Sequence, residues 1–188
     1  MTKRRQAITL FGVAALACYA VHAGFYLLHG RPEDLLWVCH LGAALVGVGL
    51  LVSSATVNGI GTLFLCLGTP LWLMALAGGG DFYPTSCFTH LGGLAIGLYG
   101  VRRLGMPERG WWKAVIALIA LILVCRWVTP ARANVNVAFA IYPGADKVFS
   151  SHLVYLVTMI GLAAGYFFIT QSVLRRWLTP EPAPEGGL

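Results

Sequence analysis

Apolar residues fall in long runs along this chain, and polar residues fall in the short breaks between them. Six runs stand out, at 8–28, 35–55, 58–77, 85–101, 111–128 and 149–174. A helix needs ~20 apolar residues to cross the ~30 Å hydrocarbon core of a bilayer, and these runs are close to that length. The breaks carry turn chemistry: Gly30-Arg31-Pro32, Gly78-Gly79-Gly80-Asp81 and Gly105-Met106-Pro107. The pattern predicts an all-α, polytopic membrane protein. It is a six-helix transmembrane bundle in one domain over residues 1–178. The remaining stretch, 179–188, is rich in Pro, Glu and Gly and is expected to be a disordered tail. The first run imitates a secretory signal, with Lys3-Arg4-Arg5 before it and Val21-His22-Ala23 near its end. It is long enough to span, so we read it as helix one.

Composition sharpens this picture. Of 188 residues, 58% are hydrophobic and 11% charged, with mean hydropathy +0.76. Soluble domains carry about a quarter charged residues, so an ordinary soluble enzyme and a disordered chain are both excluded. The net charge of +6 would suit nucleic acid. The basic residues sit at helix ends and not on one polar face, so no nucleic-acid partner is expected.

Their distribution predicts orientation instead. Nine lie on one side (Lys3, Arg4, Arg5, Arg102, Arg103, Arg109, Lys113, Arg175 and Arg176) and four on the other (Arg31, Arg126, Arg132 and Lys147). The excess places both termini in the cytoplasm of a multi-pass protein of the cell membrane, with membrane lipids as its partners. Trp111, Trp112, Trp127, Trp177, Tyr83 and Tyr142 lie near helix ends, where interfacial aromatics anchor. Gly93-x-x-x-Gly97 and Gly161-x-x-x-Gly165 are spacings that permit close helix contact, and we read them as packing.

On this topology all five histidines, His22, His29, His40, His90 and His152, lie toward the extracytoplasmic side. So do Cys39, Cys87, Cys125, Asp81, Arg126, Arg132, Asn134 and Asn136. Ionisable groups inside a bilayer are costly and usually mark function. Cys39 and His90 are each expected about five residues inside a helix, roughly 7–8 Å below the interface, near the depth of lipid esters. Neighbouring helix residues diverge by about 100°, so Cys39 and His40 are not expected to face one point. His90, from another helix, is then the candidate base for a Cys39 nucleophile. His22, His40, Arg132, Asn134, Asn136 and His152 are candidate substrate-binding residues. The Asn amides suit an oxyanion and the Arg a phosphate. Each has a plainer reading as turn or interfacial chemistry.

Particular segments resemble a known family. Leu35-Leu36-Trp37-Val38-Cys39-His40-Leu41 resembles the Leu-Pro-Leu-His-Leu-Cys segment of YwaF-like integral membrane proteins. Gly61-Thr62-Leu63-Phe64 through Pro70-Leu71-Trp72 is similar to their third helix. Asp81-Phe82-Tyr83-Pro84 followed by Thr89-His90, and Ala133-Asn134-Val135-Asn136-Val137-Ala138-Phe139 with Pro143, are similar to their later segments. The resemblance implies a distant tie to eukaryotic transmembrane lipid acyltransferases and to androgen-induced hydrolases of fatty-acid esters. It implies Cys39 as nucleophile and His90 as base. One departure stands out: the family's His two residues before the Cys is Trp37 here.

The leading expectation is therefore an intramembrane lipid acyltransferase or lipid-ester hydrolase that uses no cofactor. Two alternatives stay open. One is a metal- or haem-binding membrane protein, with zinc on Cys39, His90, His152 and Asp81 as the chemically reasonable site. The other is a non-catalytic membrane protein. A disulfide among Cys39, Cys87 and Cys125 is also conceivable, and would remove the nucleophile. Oligomeric state is not legible in the sequence.

Overall fold

The computed structural model describes residues 2–178, and every regular element among them is helical. The expected disordered tail, 179–188, lies outside the described residues. The main elements are α1 (Lys3–Leu28), α2 (Val38–Leu51), α3 (Ala55–Ala77), α4 (Pro84–Cys87), α5 (Gly93–Leu104), α6 (Gly110–Val128) and α7 (His152–Leu178). A π turn, Phe88–Gly92, joins α4 to α5. Helical backbone continues through Cys87, Phe88, Gly92 and Gly93, so 84–104 is one run with a π turn inside it. Short 3-10 turns lie at Pro32–Leu36, Ala131–Ala133, Val135–Val137 and Ala145–Lys147.

Local chemistry explains the boundaries. The Thr2 hydroxyl accepts from the Arg5 N–H at 3.4 Å and the Ser54 hydroxyl from the Val57 N–H at 3.3 Å, each capping its helix. Gly105, at φ 83°, ends α5 in a conformation that L side chains avoid.

Four helices, α1, α3, α6 and α7, are long and apolar enough to cross a membrane. The segment expected at 35–55 is a 3-10 turn followed by a helix of 14 residues. At ~1.5 Å per residue α2 reaches about 21 Å, short of the hydrocarbon core. The segment expected at 85–101 carries the π turn. Outward faces of α1 and α7 are apolar, with Leu10, Val13 and Val21 on one and Leu153, Val157, Leu162 and Ile169 on the other all exposed. Surfaces so apolar suit acyl chains and not water.

The bundle has two chemically different ends. At one, Arg4 Nη2 donates to the Arg103 carbonyl at 2.9 Å, Gln171 Nε2 to the Glu108 carbonyl at 2.9 Å, and Arg175 pairs with Glu108 at 3.5 Å. Nine of the thirteen Lys and Arg residues lie at the ends of α1, α5, α6 and α7 that meet there. The other end holds the turns after α1, α3 and α6, and the histidines.

The core packs α2 between α1 and α3, with α5 behind them and α6 and α7 alongside α3. Gly42 and Gly61 make the α2–α3 approach possible: a Cβ on Gly61 would meet the Gly42 carbonyl at 2.6 Å. Larger residues there would push the helices apart. Pro70 interrupts the α3 ladder, because proline has no N–H to give the Cys66 carbonyl. The Tyr166 hydroxyl of α7 donates to that carbonyl at 2.7 Å, the kind of rescue a freed backbone group needs in lipid.

Candidate metal centre

Three elements converge at the histidine-bearing end. Cys39 and His40 are the second and third residues of α2, His90 lies in the π turn, and His22 lies in α1. The Cys39 sulfur, a ring nitrogen of His40 and a ring nitrogen of His90 all lie within 4.8 Å of one another. His22 Nε2 lies 3.2 Å from His40 Nε2. His22, His40 and His90 are buried, and Cys39 is partly so. All five cysteines are free, so the conceivable disulfide among Cys39, Cys87 and Cys125 is not formed.

Local structure presents each group. Asn136 holds the start of α2: its Oδ1 accepts from the Val38 N–H at 3.0 Å, and its Nδ2 donates to the Leu36 carbonyl at 2.7 Å and to Cys125 Sγ at 3.3 Å. Asn suits this place, since it sits at φ 53°. Gly68 of α3 presses from the other side, where an added Cβ would overlap the Cys39 Cβ. A π turn inserts one extra residue and rotates the side chains that follow, and such turns recur at functional sites. Here it carries His90. The Thr69 hydroxyl donates to the His90 carbonyl at 3.3 Å, and Trp72 stacks on the His90 ring, centroids 4.5 Å apart at 10°.

The hydrogen bonds set the tautomers. His40 Nδ1 lies 2.6 Å from the Asp34 carbonyl and His90 Nδ1 lies 2.9 Å from the Ser86 carbonyl. A carbonyl only accepts, so each Nδ1 carries its proton and, in the neutral ring, Nε2 is left with a bare lone pair. Asp34 is itself tied down. Its Oδ1 accepts from Trp37 Nε1 at 2.9 Å, and its Oδ2 pairs with Arg31 Nε at 2.6 Å.

Two sequence expectations are corrected. Cys39 is not five residues inside its helix but at the first turn of α2, because 32–36 forms a 3-10 turn in place of helix. Cys39 and His40 do address one locus despite their divergence on the helix. A thiol stays close to the backbone, whereas an imidazole reaches well past its Cβ, so the two meet one point from different directions.

The remaining candidates lie elsewhere. His152 Nε2 binds the Val137 carbonyl at 2.9 Å. The Asn134 side chain accepts from the Phe139 and Ala140 N–H groups and donates to the Ala140 carbonyl, closing its own loop. Arg132 lines two neighbouring surface cavities, of about 450 and 550 Å³, that share Trp37 and Ala133. Asp81 accepts from the Tyr83 hydroxyl at 3.2 Å. The donor set brought together is thus Cys39, His40 and His90 with His22 beside it, and not the Cys39, His90, His152 and Asp81 set. Asp34, Trp72, Thr85 and Ser86 escaped the sequence reading, since their roles depend on contacts between segments or on backbone carbonyls.

Replacing Gly68 by Val tests the packing that seats the thiol. Overpacking costs typically 1–3 kcal/mol. The expected result is a less stable protein with increased reactivity of Cys39 toward a small maleimide. An unchanged melting temperature and unchanged labelling would show that α3 does not confine Cys39.

Comparison with family models, with curated proteins and with solved structures yields no match for this chain.

Proposed function

We propose that the chain is an integral membrane protein of the cell membrane that binds a transition-metal ion through Cys39, His40 and His90. One observation carries the reading. Two imidazoles commit Nδ1 to backbone carbonyls, so their other nitrogens hold lone pairs, and a thiol stands within 4.8 Å of a ring nitrogen of each. Histidine ligands of metals are commonly oriented by such a bond from the second nitrogen. Sulfur with imidazole nitrogen suits Zn²⁺ or Cu⁺ and disfavours Ca²⁺ or Mg²⁺. Donors on one tetrahedral zinc stand roughly 3.3–3.8 Å apart, so side-chain rotations of about an ångström would close the set. The rings pack face and edge, with His22 against His40 at 4.6 Å and Trp72 on His90 at 4.5 Å. That packing favours the shell of a small ion over a slot for a haem macrocycle. Metal analysis and zinc titration of the purified full chain, with Cys39, His40 and His90 variants, test the reading.

We also propose six membrane crossings, with the 3-10 turn and α2 together (32–51) and the π-containing run 84–104 as the two irregular ones, both termini cytoplasmic and the metal centre in the outer half of the bundle. The support is the collection of basic residues at one end. Reporter fusions after Leu28, Ala77 and Val128 should read outside, and fusions after Ala55, Val101 and Leu174 inside. An inverted pair would overturn this orientation.

A second reading, a lipid acyltransferase or ester hydrolase with Cys39 as nucleophile and His90 as base, draws support from the same proximity and from the resemblance to YwaF-like proteins. There the thiol would pass its proton to the imidazole as sulfur attacks an acyl carbonyl. A long-chain acyl-ester probe separates the two. Labelling at Cys39 that persists at saturating zinc and falls strongly in His90→Ala favours the enzyme, whereas protection by zinc favours the metal centre.

A further inference from the structure

We infer that His22 is the fourth metal ligand, making the centre a closed three-His, one-Cys site; this rests on the metal-binding reading above. The starting point is the contact between His22 Nε2 and His40 Nε2, 3.2 Å long, with the two rings at 89°. Two nitrogens bonded to one tetrahedral ion at ~2.0–2.1 Å are held about 3.3 Å apart, so this pair has that spacing, while His22 stands outside the 4.8 Å set of Cys39, His40 and His90 and its ring must turn toward them to complete the shell.

The hydrogen-bond chain shows how the pair is held without an ion. His40 Nε2 is bare, because His40 Nδ1–H is committed to the Asp34 carbonyl. The proton between the two nitrogens therefore belongs to His22, whose Nε2–H donates to His40. His22 Nδ1 is then bare and accepts from the Thr85 hydroxyl, 2.9 Å away. In this arrangement His22 occupies the lone pair that His40 would give a metal. An incoming cation must displace that proton.

His22 can yield because of its other partner. His40 and His90 are anchored by carbonyls, which accept only, so each is locked in one tautomer. His22 is anchored by a hydroxyl, which both donates and accepts. When the ion arrives, the His22 proton leaves Nε2 and Nδ1 takes one up. The Thr85 hydroxyl turns from donor to acceptor, and Nε2 offers its lone pair to the ion. The count balances: His22 remains neutral, and the proton lost from the Cys39 thiol goes to solvent as the sulfur–metal bond forms. Four protein donors leave no open position, which is the arrangement of structural, storage or sensing sites and not of hydrolytic ones.

Zinc- and cobalt-loaded wild-type protein in detergent tests this by X-ray absorption and visible spectroscopy, alongside His22→Ala, Thr85→Val and Thr85→Ser. The expected wild-type shell is three nitrogens and one sulfur, and His22→Ala should replace one nitrogen by water oxygen. Thr85→Val removes the acceptor for Nδ1–H and should weaken zinc by ~10–100-fold, the usual effect of losing such a partner, while Thr85→Ser restores it. Helicity of the metal-free variants checks folding, and the wild-type shell needs no variant. A wild-type shell of two nitrogens, one sulfur and one oxygen overturns the inference while leaving the three-donor centre standing. So does zinc affinity unchanged in both His22→Ala and Thr85→Val. Absence of zinc binding altogether overturns both.

Discussion

Zinc titrated into the purified full-length chain should bind at one equivalent, and Cys39→Ala, His40→Ala and His90→Ala should each weaken it by more than ~100-fold. Loss of a group that merely orients a ligand costs about 10–100-fold, so loss of a ligand itself should exceed that. The expectation comes from donor chemistry in a nearly water-free place. A thiolate and bare imidazole nitrogens gain far more from a cation there than at a wet surface. Binding to the folded protein alone should also raise its melting temperature, since about 2.7 kcal/mol of stability accrues at free zinc a hundredfold above Kd. Asp81→Ala and His152→Ala serve as contrasts, because their side chains bond to Tyr83 and to the Val137 carbonyl, away from the cluster. Zinc affinity that falls in those two and survives in Cys39→Ala would mean that the centre is misassigned.

The second large effect should follow from Asn136→Ala. This side chain joins the loop after α6 to the start of α2 through Val38, Leu36 and Cys125. Each buried polar group left without a partner costs about 1–3 kcal/mol. Alanine also tolerates the φ of 53° at this position poorly. A total of roughly 2–5 kcal/mol would lower the melting temperature of the solubilised protein by about 5–15 °C. Because Cys39 directly follows Val38, zinc affinity should fall along with stability. Asn136→Asp keeps the acceptor for Val38 but not the donor to Leu36, and should fall between. A melting temperature within about a degree of wild type in Asn136→Ala would remove Asn136 as the brace of the centre.

Much of the architecture is legible in one dimension. Long apolar runs broken by Gly and Pro force an all-helical chain, because backbone polar groups in lipid must be satisfied within their own segment. Four of those runs are helices long enough to cross a membrane. The restriction of Cys39, His22, His40 and His90 to one end of the bundle also follows from counting along alternating helices. Less was visible at 35–55 and 85–101. Hydropathy there does not distinguish a straight helix from a 3-10 turn with a short α2, or from a helical run holding a π turn. Those choices are made by neighbours: Asn136 at the start of α2, and Thr69 and Trp72 against the π turn.

Helix order along the chain suffices to put these residue types with chemical range at the histidine-bearing end. Which of them meet depends on packing in three dimensions. It joined His40 and His22 to Cys39 and His90, and it turned Asn134, Asn136 and His152 to bracing loops. The reason is geometric. Depth in a bundle is set by position along one helix, but convergence depends on the rotation of each helix about its axis. Here packing between helices sets that rotation, as where Gly68 meets Cys39, and a π turn shifts it again at His90. The tautomers that leave lone pairs facing inward rest on the carbonyls of Asp34 and Ser86, and a backbone carbonyl looks the same at every position of a sequence.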